Sequence, residues 1–137
     1  MNYFHYAFKV KDIESTRKFY IDILNCNEGR STENWIDFNF FGHQLSAHVS
    51  DNISELDFCG KVDNLEVPIP HFGCIISIEE FKNLQEKFDS AHIKYLVRPY
   101  KRYEGKVGEQ YTLFVFDYSN NPLEFKAFTN PEDVFAS

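Results

Sequence analysis

A chain of 137 residues with 43% hydrophobic and 26% charged content has the make-up of one soluble globular domain, or of two small halves sharing a core. Its formal charge of −7 at pH 7 argues against nucleic acid or an acidic membrane as partner, since both demand a surplus of Lys and Arg. The three cysteines, Cys26, Cys59 and Cys74, are widely spaced without a CxxC pair, which argues against a disulfide framework and for a reducing, cytoplasmic setting.

No charged-then-apolar leader precedes MNYFHYAFKV, and no apolar run approaches the ~20 residues that cross a bilayer, so a soluble intracellular protein is expected. The 15 Phe and 8 Tyr point to a β-rich interior or an aromatic-lined cavity.

In chain order, residues 3–10 read as a strand, and DIESTRKFYIDIL then changes period. Thr16, Phe19, Tyr20, Ile23 and Leu24 fall on one helical face, with Asp12 as N-cap. A short segment follows around residues 27–30. WIDFNFF (35–41) and QLSAHV (44–49) are strands joined by a tight turn at Gly42-His43. Residues 51–70 show no clear period and read as a crossover. The order then repeats. HFGCIIS (71–77) is a strand, and Ser77 with Glu80 fits a capping box. Phe81, Leu84 and Phe88 give a helix its apolar face. IKYLV (93–97), YTLFVFD (111–117) and PLEFKAF (122–128) are strands, with YSNNP as the turn before the last. The segment RPYKRYEGKVGEQY (98–111) reads as a basic, glycine-bearing loop able to cover a site and attract an anionic substrate.

The chain is thus a β-α-β-β-β unit written twice, with module 1 at about 1–50, the crossover at 51–70 and module 2 at about 71–130. Each module opens on a histidine, His5 and His71, 66 residues apart. Strand alternation puts His5 with Ala7 and Lys9, and His71 with Gly73 and Ile75. The small Ala7 and Gly73 would leave room beside each imidazole. On the last strand Glu124 stands among Leu123, Phe125, Ala127 and Phe128, where an unpartnered carboxylate is costly. Either histidine alone reads equally as a hydrogen-bonded structural residue. Together, His5, His71 and Glu124 would satisfy one another by holding a divalent metal ion.

These features resemble the vicinal oxygen chelate superfamily, which includes glyoxalase I, extradiol dioxygenases and the fosfomycin and bleomycin resistance proteins. The marks are His5, DIESTRKFYIDIL, His71 and above all FVFDYSNNPLEFKAF, while EGRSTENWIDFNFFGHQLSAH is similar to a dioxygenase-like subgroup. The resemblance implies an α+β fold in which two tandem βαβββ modules form a cupped, barrel-like mixed sheet with the helices outside. It implies His5, His71 and Glu124 as ligands to one divalent ion and makes a homodimer the expected assembly. The place of a fourth protein ligand holds Ser46, which favours a two-histidine, one-carboxylate face with open positions and Fe(II) over Zn, Ni or Mn. Gln44 is the alternative fourth ligand.

Around that centre, His48 and Gln44 share the face of Ser46, and His48 is a candidate acid/base. Arg102, Tyr103, Arg30 and Trp35 are candidate substrate-binding residues, Trp35 having a core position as its alternative. The expected activity is that of a metal-dependent, dioxygenase-like enzyme acting on a small substrate with adjacent oxygens. The alternatives are a glyoxalase-type lyase or isomerase, and a non-catalytic binding protein of the bleomycin-resistance sort.

Overall fold

A computed structural model describes residues 1–137, and the doubled module is its organising feature. The chain forms two compact units, residues 1–56 with 117–121, and residues 57–116 with 122–137. No helix is long and apolar enough to cross a membrane.

The first unit contains β1 (His5–Val10), α1 (Ile13–Arg17), β2 (Asn27–Ser31), β3 (Trp35–Phe40) and β4 (His43–Val49). Its sheet runs β1-β4-β3-β2, parallel between β1 and β4 and antiparallel elsewhere. The β1 alternation is as expected: Phe8 and Val10 are buried, while His5, Ala7 and Lys9 are exposed. Asp12 caps α1, its Oδ1 accepting from the Ser15 N–H at 2.7 Å.

The helix departs from its expected 3.6 period. After Arg17 it widens into a π-helical turn (Lys18–Ile23), where Leu24 N–H donates to Phe19 O at 3.0 Å. The adjacent rings of Phe19 and Tyr20 are both fully buried in this turn. Ile23 is correspondingly only half-buried. The turn between β3 and β4 is centred one residue earlier than expected. Phe41 (φ 50°) and Gly42 (φ 89°) both adopt the left-handed conformation of a tight hairpin turn, so His43 already belongs to the strand.

The YSNNP turn braces this unit. Asp117 is buried: its Oδ2 accepts from Tyr20 OH and Asn121 Nδ2, and its Oδ1 from the backbone N–H groups of Ser119 and Asn121, all at 2.8–2.9 Å. Ser119 Oγ accepts from Lys11 N–H, and Asn121 Nδ2 donates to Lys9 O.

The second unit contains β5 (Gly60–Val62), β6 (Leu65–Val67), β7 (Phe72–Ile75), α2 (Ile78–Ser90), β8 (Tyr95–Arg102), β9 (Gln110–Phe116), β10 (Pro122–Phe128) and a closing 3-10 turn (Pro131–Phe135). Its sheet runs β7-β10-β9-β8, again with one parallel pair, β7 with β10. The capping box forms as read, Ser77 Oγ accepting from Glu80 N–H while Glu80 accepts from Ser77 N–H. Phe81, Leu84 and Phe88 are buried beneath α2. Both four-stranded sheets are open, and neither closes into a barrel on its own.

The structure adds one element to the sequence reading and overturns one expectation. The aperiodic crossover holds a small hairpin, β5 with β6, turned by Asp63 (φ 49°) and Asn64 (φ 69°). The basic segment is not a loop from residue 98, because β8 runs through Arg102. Pro99 signals a break, but β8 is the edge strand of its sheet. Register shifts between Val97 and Tyr100 absorb the proline, which lacks an N–H to offer a neighbour. The loop proper begins at Tyr103.

Candidate functional site

In the second unit, the parallel pairing sets Glu124 opposite Gly73, with Phe114 across the antiparallel side. His71 immediately precedes β7. Its Nε2 lies 3.1 Å from Glu124 Oε1, with both side chains largely buried, at 18% and 10% exposure. Its Nδ1 is 2.7 Å from the carbonyl oxygen of Pro68. That oxygen can only accept, so Nδ1 carries a proton and Nε2 is the atom presented to Glu124. The other carboxylate oxygen, Oε2, accepts from Thr112 Oγ1 at 2.6 Å, and Lys126 Nζ stands 4.0 Å away. The Phe114 ring meets the imidazole edge to face at 4.9 Å.

Between a nitrogen lone pair and a carboxylate oxygen there stands either a proton or a metal cation. Hydrogen bonding to Glu124 raises the His71 pKa above its usual value against the opposing effect of burial. Burial works against the Glu124 charge, but the bonds from His71 and Thr112 outweigh it and the carboxyl titrates below its usual range.

The pair also suits a divalent ion. Metal–donor bonds of about 2.1 Å meeting at a right angle put their donor atoms about 3.0 Å apart, which is the spacing observed here. Each donor is braced from behind, the imidazole by a carbonyl and the carboxylate by a hydroxyl, as ligating groups commonly are.

Gly73 has a different cause from the one expected. A Cβ there would fall 1.5 Å from the Glu124 carbonyl oxygen, so glycine is required by the close approach of β7 to β10 rather than by space beside the imidazole.

In the first unit the equivalent register pairs Ala7 with Ser46 and His5 with Gln44. Ser46 Oγ donates to Asp37 Oδ1 at 2.6 Å. His5 Nδ1 lies 2.8 Å from Gln44 Oε1, again an atom that only accepts. His5 therefore takes the same tautomer as His71, with Nε2 bearing the lone pair. Gln44 is engaged as the partner of His5. A cavity of about 560 Å³ is lined by His5, Gln44, Arg30, Asp37 and Tyr3, among others. His48 and Trp35 are cross-strand neighbours on the same sheet face, with His48 exposed and Trp35 half-buried. His43 Nδ1 accepts from Phe4 N–H at 3.0 Å.

Arg102 and Tyr103 belong to the second unit, where Arg102 Nε and Nη2 grip Asp63 at 2.6 and 3.3 Å. Tyr103 OH accepts from Arg102 Nη2 at 3.1 Å. The structure thus joins His71 with Glu124, His5 with Gln44 and Arg30, and Arg102 with Tyr103. It gathers no set of three or more His, Cys, Asp or Glu side chains as metal ligands.

Three participants were missed. Thr112 had a signal, a polar residue beside the apolar run 113–116 and on the same strand face as Phe114. Asp63 lay in the aperiodic crossover, and the Pro68 carbonyl has no sequence signal at all.

No family model matches the chain, and no curated relative does. Among solved structures, it is 30% identical to a glyoxalase/bleomycin resistance protein/dioxygenase from Alicyclobacillus acidocaldarius, covering 98% of this chain and 96% of that one with a TM-score of 0.79. It is 20% identical to the genomically encoded fosfomycin resistance protein FosX from Listeria monocytogenes, covering 97% of each chain with a TM-score of 0.74. A glutamate-to-glutamine mutant of FosX, solved in complex with Mn(II) and 1S,2S-dihydroxypropylphosphonic acid, is 19% identical with a TM-score of 0.74, covering 99% of this chain and 98% of that one.

Proposed function

From a chain that belongs to the glyoxalase/bleomycin resistance protein/dioxygenase family of the vicinal oxygen chelate superfamily, we infer a divalent-metal-dependent enzyme acting on a small substrate with adjacent oxygens. The proposed ligands are His71 and Glu124, with His5 the third. The observation that carries this reading is the His71–Glu124 pair: a fixed tautomer, a braced carboxylate and a 3.1 Å donor spacing. His5 supports it with the same preparation of its ring.

A divalent ion held there would act as a Lewis acid on the substrate's oxygens. The protein's own contribution is positional. Pro68 O and Gln44 Oε1 hold the two imidazoles in one tautomer, and Thr112 holds Glu124 as an anion. Phe114 and the surrounding β9 side chains keep water from the buried carboxylate. Lys126, on the same sheet face as Glu124, places a positive charge beside it for a negatively charged substrate. His48 is the proposed acid/base, since its imidazole is exposed on the polar face of its sheet.

The finer proposal is dioxygenase-like chemistry with Fe(II), because a face of two histidines and one carboxylate leaves positions for both substrate and dioxygen. A second reading, a lyase or isomerase using the ion as a Lewis acid, is favoured by the Mn(II) and the vicinal diol bound to FosX.

Protein prepared anaerobically without a histidine tag, with its metal content measured by mass spectrometry, separates them. About one Fe per chain, lost in His71→Ala, supports the dioxygenase reading. One Mn, Zn or Ni supports the second. No metal, and no uptake on reconstitution, overturns both.

A further inference from the structure

The Arg102 cluster of the second unit has the form of an anion receptor already holding a carboxylate. Arg102 is only 12% exposed, and its guanidinium meets Asp63 in a two-pronged contact. Tyr100 OH donates to Asp63 Oδ2 at 2.9 Å. Three donors therefore converge on one carboxylate, the arrangement by which proteins recognise carboxylates and phosphate-type oxyanions. Tyr103 fixes the arginine from the far side, its OH accepting from Nη2 and its ring 4.9 Å from the guanidinium carbon.

The carboxylate in this receptor sits on an exposed turn. Asp63 is the first residue of the β5–β6 turn and is 40% exposed. The hairpin has two strands of three residues each, and its strands pair only with each other. A two-stranded ribbon of this size has little stability of its own; the buried Val67 anchors one end, and no residue from 60 to 66 is buried. The receptor residues, in contrast, stand on β8 within a four-stranded sheet. The β8–β9 register places Tyr100 opposite Thr112, whose hydroxyl holds Glu124, and Arg102 opposite Gln110. Arg102 and Tyr100 thus share the sheet face that carries Glu124.

We propose that Arg102 and Tyr100 form a binding site for a small phosphonate- or carboxylate-type anion, in which Asp63 serves as a tethered stand-in that the free anion displaces. The Asp63–Asn64 turn swings away when the anion enters and returns when it leaves, while Val67 keeps its place in the core. This deepens the proposed function by giving its substrate an anionic group, and it rests on that reading only to this extent, because the anion site requires no metal.

The test uses the full chain stripped of metal on a chelating resin, titrated calorimetrically with inorganic phosphate and, separately, with acetate. A carboxylate on a short tether competes at an effective concentration in the millimolar range, so Asp63→Asn is expected to bind the preferred anion about tenfold more tightly than the natural chain. Arg102→Gln is expected to lose binding. Amide hydrogen exchange of residues 60–67 in the natural chain is expected to rise at saturating anion. A stronger response to phosphate identifies a phosphonate-type group, and a stronger response to acetate a carboxylate.

Equal or weaker binding by Asp63→Asn overturns the proposal. So does unchanged exchange of the hairpin in the natural chain, a readout that does not depend on the variant folding. Absence of binding by every protein also overturns it and leaves the metal reading standing, since metal content is measured independently.

Discussion

At the scale of single residues, the site depends on groups that fix other groups. Thr112 is fully buried and spends its hydroxyl on Glu124 Oε2, which keeps Oε1 turned to His71. Thr112→Val preserves volume but removes that bond. Divalent-metal affinity, measured by calorimetry with Mn(II), is expected to fall about 10–100-fold, with the melting transition little changed. Asp117 is the corresponding group in the first unit, where it serves the fold. Burial pushes its pKa up, and four donors point at its two oxygens. Asp117→Asn removes the charge but turns an NH2 group toward two of those donors. A loss of about 1–3 kcal/mol in urea unfolding is expected. His5, His71 and Glu124 stand out in the sequence because strand parity and apolar surroundings make titratable groups conspicuous, and the structure pairs His71 with Glu124. The acceptors that set the histidine tautomers do not stand out: one is a backbone carbonyl, and the other, Gln44, reads in the sequence as an alternative metal ligand.

At the scale of elements, alternation and capping carried most of the reading. β1, β4, α2, β9 and β10 stand within one or two residues of where periodicity puts them. The failures share a physical form, a local rule overridden by neighbours. The first helix widens into a π turn where Phe19 and Tyr20 are both buried. An edge position lets β8 carry Pro99. A hairpin of three-residue strands is too short to show a period. Gly73 shows how tightly elements are matched. Gly73→Ala brings a Cβ into the β10 backbone, which cannot yield as a flexible side chain can. It is expected to cost about 3 kcal/mol in stability, read from the denaturation midpoint, and to lower metal uptake by displacing Glu124.

At the scale of the whole molecule, the duplicated module explains why one chain presents its chemistry twice over in outline and once in detail. Ala7 with Ser46 and Gly73 with Glu124 are the same step of the same register. The first module keeps a serine bonded to Asp37 where the second keeps a buried carboxylate. If the carboxylate copy is the metal-binding one, Glu124→Ala abolishes uptake while Ser46→Ala, which removes only the buried hydroxyl bonded to Asp37, leaves it within about twofold. The family follows from the likeness to a solved glyoxalase/bleomycin resistance protein/dioxygenase, but a fold of this kind hosts several chemistries, so activity has to be argued from the site.

The most direct test is pulsed electron paramagnetic resonance of the full chain loaded with Mn(II), read for nitrogen coupling. Imidazole nitrogen coupled to the ion, diminished in His71→Ala and in His5→Ala, is the result expected of a centre ligated through the free Nε2 atoms. Mn(II) showing only water and carboxylate coupling, identical in the natural chain and both variants, would contradict it.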